Sequence, residues 1–175
     1  MSKVLVVVDF QKDFVDGALG FAKAQTLEEG IAAKVADAVA NNQPVVFTLD
    51  THGEDYLETR EGRHLPVPHC TKGDAGWRLY GKLEKYMEED HKNVFLAPKY
   101  SFGAQNFSFL KQFNPTEIEL VGVVTNMCVI SNAVILQTAF PQAEITIDSS
   151  LCASFDDSMH QKALDIMAGL QMNIL

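Results

Sequence analysis

The chain has 175 residues, of which 47% are hydrophobic, and it carries a formal net charge of −9 at pH 7. A chain of this length and composition can bury a substantial core, so we expect a single globular domain over residues 1–175. The acidic balance argues against a nucleic-acid partner, which needs a surface of clustered lysine and arginine. No apolar stretch approaches the roughly 20 residues of a membrane span, and the N-terminus has no signal-peptide pattern, so we expect no membrane partner.

Short apolar runs alternate with helical patterns along the chain. The run from Val4 to Val8 is β-branched and bounded by polar residues, which predicts a buried strand over residues 3–9. Residues 26–41 have helical spacing of apolar residues, with Thr26 as the N-cap and Glu29 completing a capping box. The other predicted elements are strands at 45–50, 94–97, 117–122 and 144–148, a short strand at 172–175, and helices at 74–88, 128–139 and 156–170. This alternation predicts an α/β fold: one parallel, doubly wound, Rossmann-like sheet of five to six strands with helices on both faces.

A long irregular segment interrupts this alternation at residues 51–73. It contains several glycines and prolines and no clear helical or strand period. A loop of that length in a compact domain is usually functional, which directs attention to its polar residues.

Three side chains of different chemistry follow predicted strands. Asp9 closes the first strand, Lys99 follows the run at 94–98, and Cys128 lies six residues beyond Gly122. Because the carboxyl ends of parallel strands form one rim where ligands bind, we expect these side chains to lie close together. A carboxylate, an ammonium group and a thiol provide a base, a cation that lowers pKa values and a nucleophile, which indicates an enzyme.

The cysteine segment predicts a strand end, a tight polar turn and the start of a helix at Cys128. A helix N-terminus favours the thiolate through its dipole and free backbone N–H groups, which can also receive an oxyanion. A lone cysteine is also commonly a small buried hydrophobe, and Cys70 and Cys152 compete with Cys128 until Asp9 and Lys99 are considered. The three cysteines are widely spaced and form no CxxC pair, so we expect reduced thiols and a cytoplasmic protein.

A second group of polar residues flanks the long loop. Asp50 and His52 end the second predicted strand, and His69 comes at the close of the loop. Because side chains alternate along a strand, Asp50 and His52 point to the same side. A carboxylate and two imidazoles suit zinc, iron or manganese and leave positions open for water or substrate. The alternative for this segment alone is that these histidines are merely solvated.

Three segments of the chain resemble, in order, the signature segments of the isochorismatase-like cysteine hydrolases. They are VDFQKDF at 8–14, KYSF at 99–102 and GVVTNMCV at 122–129. The resemblance extends from residue 4 to about residue 150, which is most of the chain.

The resemblance assigns roles to the residues at these positions. It implies a catalytic triad in which Asp9 is the base, Lys99 is its cationic partner and Cys128 is the nucleophile. It also implies a cis peptide bond between Val123 and Val124, which would bring the backbone N–H groups of Val124 and Cys128 together as an oxyanion hole.

The metal segment resembles the nicotinamidase/pyrazinamidase branch of that family. Members of this branch carry Asp-x-His after the second strand and a further His in a Pro-rich stretch, whereas isochorismatases and carbamoyl-amide hydrolases generally lack this set. The resemblance implies a divalent metal held by Asp50, His52 and His69, which we expect to be zinc, with iron and manganese as alternatives. It also implies a fourth ligand, Glu61, with Glu58 as the alternative.

The predicted substrate pocket departs from that branch at one position. Nicotinamidases commonly place an aromatic residue three positions before the second His, and this chain has Pro66 there. Phe14 matches the other aromatic residue of the pocket, and Val123 and Val124 are expected beside the substrate. Trp77 is predicted to lie on a helix that packs on the sheet.

The resemblance implies a cysteine amidohydrolase that converts nicotinamide, or a similar small amide, to the carboxylic acid and ammonia through a thioester. The nearest alternative is a metal-independent relative acting on an aliphatic, ureido or carbamoyl amide, which would tolerate Pro66. An isochorismatase is disfavoured because hydrolysis of that vinyl ether does not need the cysteine. A non-catalytic ligand- or metal-binding protein on the same fold is the alternative of another class. Relatives often form homodimers or larger homo-oligomers, and we expect the same here.

Overall fold

The computed structural model describes residues 2–88 and 90–175, and its strands join into one parallel six-stranded sheet. In chain order the strands are Lys3–Val8 (β1), Val45–Asp50 (β2), Val94–Lys99 (β3), Glu117–Val123 (β4), Glu144–Ala153 (β5) and Asn173–Ile174 (β6). Their order across the sheet is β3-β2-β1-β4-β5-β6, and every neighbouring pair is parallel. This is the doubly wound order, so the predicted fold class is confirmed.

Helical segments connect the strands. The α-helices are Lys12–Val15 (α1), Ala22–Gln25 (α2), Glu28–Ala40 (α3), Arg60–His64 (α4), Ile130–Ala139 (α5) and Asp157–Gly169 (α6). The 3-10 helices are Tyr56–Glu58, Ala75–Trp77, Gly81–Met87 and Ser108–Phe113, and a π-helical turn spans Thr125–Val129. Among the residues described, no helix is both long enough and apolar enough to cross a membrane.

The central strand β1 is buried on both of its faces. Val4, Val6 and Val8 pack in a cluster with residues of α5 and α6, whereas Leu5 and Val7 pack in a second cluster with residues of α3. Because successive side chains of a strand point to opposite faces, the unbroken apolar run of β1 is what a sheet covered on both sides requires. The prediction of helices on both faces is therefore confirmed.

The start of α3 differs from the predicted capping box. Leu27 is the N-cap, and no side chain caps the helix. Thr26 instead follows α2, and its hydroxyl donates to the Lys23 carbonyl at 2.7 Å. The short helix α2, which the sequence pattern did not reveal, uses Thr26 to close its own last turn, and Glu29 pairs with Lys82.

The helix predicted at 74–88 is also wrong, because two 3-10 helices, Ala75–Trp77 and Gly81–Met87, occupy this segment. Arg78 between them is extended, and Gly81 has a φ of 54°, which only glycine adopts readily. A continuous α-helix cannot pass through these two conformations.

Gly122 brings β4 unusually close to β1. Its φ is 117°, and a Cβ atom at this position would lie 2.2 Å from the Val8 carbonyl oxygen. The pairing of β4 with β5 shifts register between Leu120 and Gly122, and β5 continues to Ala153, beyond the predicted end at residue 148. The irregularity lies where β4 leads into the cysteine segment, so it helps set the position of that segment.

Candidate active site

The carboxyl ends of four neighbouring strands gather the predicted polar residues. Asp50 and Lys99 are the last residues of β2 and β3, Asp9 directly follows β1, and Cys128 lies in the turn after β4. The strands are adjacent in the order β3-β2-β1-β4. From β1 the chain adds β2 and β3 on one side, and it then returns to add β4, β5 and β6 on the other side, so the direction of winding switches between β1 and β4. Such a switch point is where open α/β sheets bind ligands, and the structure brings these side chains together there, as expected.

Lys99 is the fully buried cation of this group. Its Nζ lies 2.7 Å from Asp9 Oδ2 and donates to Asp50 Oδ1 at 2.9 Å and to the Ser101 carbonyl at 2.9 Å. The same Nζ is 3.6 Å from Cys128 Sγ. Burial lowers the pKa of Lys99, but the neighbouring Asp9, Cys128 and Asp50 outweigh it and raise that pKa well above its ordinary value. Lys99 is therefore a permanent positive charge between two carboxylates and the thiol.

Asp9 is held in a defined orientation by the neighbouring strand. Its Oδ1 accepts a hydrogen bond from the Thr48 hydroxyl at 2.6 Å, and its φ of 46° turns the chain away from the sheet. Burial raises the pKa of Asp9, and the charge of Lys99 opposes this without cancelling it. A carboxylate with a raised pKa accepts and returns protons more readily, which suits a general acid–base group.

Cys128 lies in a π-helical turn and not at the first residue of an α-helix. The turn spans Thr125–Val129 and continues into α5 at Ile130. The Val124 carbonyl accepts the N–H groups of Met127 at 3.0 Å and of Val129 at 3.2 Å. Val123 and Val124 are joined by a cis peptide bond, as the resemblance implied. π-helical turns are rare and are frequently found at functional sites.

The expectation of a lowered thiol pKa does not hold in this structure. Burial raises the pKa of Cys128 well above its ordinary value, and the Asp9 carboxylate raises it further, through its charge and through a hydrogen bond. Lys99 acts in the opposite direction but does not overcome these effects. These effects favour the thiol form of Cys128 over the thiolate.

The four predicted metal ligands form a cluster. Asp50 Oδ2 is 2.9 Å from His52 Nε2 and 3.3 Å from His69 Nε2, and Glu61 Oε1 is 3.8 and 3.9 Å from these two nitrogens. One ligand atom from each residue lies within 4.8 Å of all the others. Two imidazole nitrogens and two carboxylate oxygens converging in this way fit a divalent metal such as zinc.

Hydrogen bonds around the cluster orient His69 and hold Asp50 ionised. His69 Nδ1 lies 2.7 Å from the Val67 carbonyl, which fixes the proton on Nδ1 and leaves Nε2 free as a ligand. Burial raises the pKa of Asp50, but hydrogen bonds with His52 and His69 and the charge of Lys99 prevail and hold that pKa well below its usual range. Asp50 is therefore ionised.

The structure distinguishes the alternatives for the fourth ligand. Glu61 belongs to α4, whose N-cap Thr59 accepts the Gly62 N–H at 3.0 Å, and this short helix turns Glu61 toward the two histidines. Glu58 and His64 are exposed and lie outside the cluster.

A cavity of about 240 Å³ opens beside Cys128. Phe14 and Val124 line it, as predicted, whereas Val123 is fully buried in the core beneath it, because it is still part of β4. The metal cluster contributes to the same wall. The complete lining is Phe14, Leu19, Asp50, Glu61, Leu65, His69, Phe102, Val124, Met127, Cys128 and Phe155.

Sequence reasoning missed five apolar residues of this lining. Phe102 comes shortly after the end of β3, Phe155 shortly after the end of β5, and Met127 immediately before Cys128. The sequence could have indicated these three residues, because large apolar side chains that follow a strand end lie on the same edge of the sheet as the catalytic candidates. Leu19 and Leu65 lie in irregular segments that carried no comparable signal.

Pro66 and Trp77 lie outside the cavity lining. Pro66 is exposed, and the preceding residue, Leu65, faces the cavity in its place. Trp77 lies in a 3-10 helix, where its Nε1 donates to the Thr51 hydroxyl at 3.0 Å and its ring packs against one of the two cores. Trp77 thus packs against a core cluster that includes strand residues, and it lies in a 3-10 helix and not in the predicted α-helix.

Comparison with known proteins places these features in a family. An isochorismatase domain model matches residues 3–174. The chain is 33% identical over 178 aligned residues to the uncharacterized isochorismatase family protein PncA of Bacillus subtilis (strain 168), covering 96% of this chain and 95% of that protein. It is 30% identical to the pyrazinamidase/nicotinamidase of Streptococcus mutans UA159, with a TM-score of 0.89, covering 99% of this chain and 100% of that structure.

A more distant structure shares the same fold. The pyrazinamidase of Pyrococcus horikoshii, in complex with zinc, is 19% identical with a TM-score of 0.85, covering 100% of this chain and 99% of that structure. The domain model spans nearly the whole chain, and the cis bond before Cys128 is the one that the three signature segments implied. This protein therefore belongs to the isochorismatase family.

Proposed function

We propose that this chain is a cysteine amidohydrolase that converts nicotinamide, or a similar small aromatic amide, to the carboxylic acid and ammonia. The observation that carries the proposal is the position of Cys128, which lines an apolar cavity with its Sγ beside the Asp9 carboxylate and 3.6 Å from Lys99 Nζ. A nucleophile, its base and a fixed cation at one cavity wall are what covalent amide hydrolysis requires. The similarity to the S. mutans pyrazinamidase/nicotinamidase supports this choice of substrate.

The first half of the reaction forms a thioester. Asp9 takes the thiol proton as Cys128 Sγ attacks the amide carbonyl carbon. The negative charge moves from the Asp9 carboxylate toward the sulfur, and the Lys99 ammonium group lies close enough to both to stabilise it. The N–H groups of Val124 and Cys128 stabilise the resulting oxyanion. Asp9 then gives its proton to the amide nitrogen, the C–N bond breaks and ammonia leaves.

The second half releases the acid. Asp9 accepts a proton from a water molecule, which attacks the thioester carbon. The C–S bond breaks, the proton returns from Asp9 to the sulfur, and the carboxylic acid departs. One amide and one water thus give one acid and one ammonia, and the cysteine is regenerated.

Asp50, His52, Glu61 and His69 would hold the divalent metal, which we propose to be zinc, with iron or manganese as alternatives. When bound, this ion would supply a coordination position that orients the ring nitrogen of the substrate, directly or through water, without activating the attacking group. Asp50, Glu61 and His69 line the same cavity as Cys128. The residues that would orient the substrate and the thiol that would attack it therefore face the same bound molecule.

The lining of the cavity favours an uncharged aromatic substrate. Of the residues that the structure describes, those that line it include carboxylates but no lysine or arginine. Apart from the proposed metal, a substrate with its own carboxylate, such as isochorismate or a carbamoyl amino acid, would meet no cationic side chain in this lining. Phe14, Phe102 and Phe155 offer ring surfaces that a flat aromatic amide can fill.

The test is ammonia release from nicotinamide by the purified protein, before and after removal of metal with a chelator. Cys128→Ala should abolish release, and Cys152→Ala is the matched control, since Cys152 is a buried thiol outside the cavity. Release that needs both Cys128 and the metal supports the proposal. A protein that retains its metal but releases no ammonia from nicotinamide would refute the substrate assignment and would point to another amide as the substrate.

We also propose a cytoplasmic homo-oligomer with no nucleic-acid or membrane partner. Cys70, Cys128 and Cys152 are all free and buried, which suits a reducing compartment. Light scattering after size exclusion measures the oligomeric state directly, and a monomer at micromolar concentration would contradict that part.

A further inference from the structure

A histidine from a distant helix contacts the turn that carries the nucleophile. The Thr125 hydroxyl oxygen is fully buried and lies 2.8 Å from His160 Nδ1, which α6 supplies. Thr125 begins the π-helical turn and directly follows Val124, whose N–H is a proposed oxyanion donor. His160 does not line the cavity, so any effect on the reaction must pass through Thr125.

Other side chains hold the same turn from outside. Asn126 Oδ1 accepts the Ser154 hydroxyl at 2.6 Å, and Asn132 Nδ2 donates to the Cys128 carbonyl at 2.8 Å. These contacts fix the middle and the end of the turn, whereas its first residue is fixed by His160. Backbone N–H groups of the turn hold the Val124 carbonyl, and the hydrogen bond to His160 adds a side-chain anchor at the next residue, Thr125.

We propose that His160 is a positioning residue of the active site: its neutral imidazole accepts a hydrogen bond from the Thr125 hydroxyl at Nδ1 and so fixes Thr125 and, through it, the adjoining Val124, whose N–H would face the reacting carbonyl. The inference rests on the proposed function, because the carbonyl is that of the substrate amide. A neutral imidazole is needed, since both ring nitrogens of a protonated histidine are donors and neither accepts.

The charges around His160 favour its neutral form. Burial lowers the pKa of His160, the Lys23 ammonium on α2 lowers it further, and Asp157 on α6 opposes both. Lys23 Nζ and Asp157 Oδ1 are themselves 2.7 Å apart, so the two charges partly offset each other at His160. At neutral pH the imidazole is thus available as an acceptor.

Matched variants separate the hydrogen bond from simple packing. The substitution His160→Asn places an amide oxygen near the position of Nδ1 but provides no titratable group, whereas His160→Leu leaves no acceptor. Thr125→Val removes the hydroxyl, and Thr125→Ser keeps it. We expect His160→Leu and Thr125→Val to lower kcat about 10- to 100-fold with little change in KM. His160→Asn and Thr125→Ser should stay near the wild type, and the double variant His160→Leu/Thr125→Val should lose no more than either single variant.

The pH profile of kcat gives a readout that a purely structural histidine would not alter. In the wild type, activity should fall on the acid side as His160 protonates, in addition to any fall due to Asp9. His160→Asn should keep only the contribution of Asp9. Lys23→Gln should move the wild-type fall toward higher pH, because it removes a charge that disfavours the imidazolium, and it should have no such effect in the His160→Asn background.

The hydrogen bond itself is measured without substrate. A long-range ¹H–¹⁵N spectrum of the histidine side chains, assigned by the signal lost in His160→Asn, should show an unprotonated Nδ1 on His160 at pH 7. A protonated Nδ1, or a folded His160→Leu protein with wild-type kcat, would overturn the proposal. If the wild type does not hydrolyse nicotinamide, the proposed function fails, and the inference is then judged by this spectrum and by the rate of Cys128 alkylation. That rate should differ from wild type in His160→Leu and Thr125→Val but not in His160→Asn, and equal rates in all of them would overturn the inference.

Discussion

Asp50 and Lys99 are register partners at the ends of the adjacent strands β2 and β3, and Asp50 Oδ1 accepts a hydrogen bond of 2.9 Å from Lys99 Nζ. The other oxygen of Asp50 faces His52 and His69. One carboxylate therefore joins the metal cluster to the ion pair of Lys99 with Asp9. The metal cluster and the Lys99–Asp9 ion pair are separate motifs in the sequence, but in the structure a single side chain, that of Asp50, connects them.

Asp50→Asn should weaken metal binding by at least about 100-fold, because loss of even a hydrogen-bonded partner of a metal ligand commonly costs about 10- to 100-fold. Competition with a chromogenic chelator for Zn²⁺ measures the affinity. Glu58→Gln is the control, since Glu58 is exposed and lies outside the cluster. An Asp50→Asn protein with wild-type affinity for Zn²⁺ would show that the cluster is not the binding site.

Lys99→Met should lower the free energy of unfolding by about 3–5 kcal/mol, because it leaves Asp9 and Asp50 buried without their cation. Urea unfolding at pH 7 measures this, with Lys72→Met as an exposed control. The double variant Asp9→Asn/Lys99→Met should recover part of the loss, since one of the uncompensated charges is then gone. A double variant less stable than Lys99→Met would contradict this electrostatic explanation.

Leu65→Ala should raise KM for nicotinamide several-fold more than Pro66→Ala does, because Leu65 lines the cavity and Pro66 points to solvent. Steady-state kinetics on both variants provide the comparison. Phe14→Ala should resemble Leu65→Ala, since the Phe14 ring lines the cavity and lies edge-on to His69 at a centroid distance of 5.4 Å. A larger effect at Pro66 would mean that the loop closes over the substrate differently from the arrangement seen here.

The ion cluster of Lys34, Glu119 and Asp148 predicts an acid-dependent part of the stability. Burial raises the pKa of Asp148, but hydrogen bonds from Ser150 and Lys34 prevail and lower it. A carboxylate with a lowered folded-state pKa stabilises the protein above its unfolded pKa, and this contribution is lost as the pH falls through the folded value. Asp148→Asn should therefore be less stable than the wild type by about 1 kcal/mol at pH 7. The expected loss is small because the Lys34–Asp148 ion pair is partly exposed. The difference should shrink as the pH falls below the ordinary aspartate pKa and through the lowered folded-state pKa, as followed by thermal unfolding at a series of pH values.

Much of the fold was predictable because its strands are short apolar runs bounded by polar residues. The buried run Val4–Val8 is typical of a strand, Asp9 directly follows it, and Asp50 and Lys99 are the last residues of β2 and β3. Once the strands are parallel, these side chains must share a rim. Their proximity is thus a consequence of topology, which a sequence pattern can reveal.

What could not be predicted depends on contacts between segments distant in the sequence. The capping box at Thr26 failed because α2 ends there, and the helix at 74–88 failed because Gly81 packs against Glu28. The raised pKa of Cys128 has the same origin, since burial and the approach of Asp9 are tertiary effects that outweigh the local influence of a helix terminus. Hydrogen bonding of Thr125 to His160 carries no sequence signal at all.

The central strand β1 is completed by β2 on one side and by β4 on the other, and β4 is made only after β3. While the chain is being synthesised, one edge of β1 therefore stays open until β4 emerges from the ribosome, and an open apolar edge is a template for misassociation with other chains. Asp9, Asp50 and Lys99 are all present at that stage, but Cys128 is not. A nascent chain stalled between β3 and β4 would thus lack the proposed nucleophile while its β1 edge is exposed, and the strand that closes this edge also leads into the turn that carries Cys128.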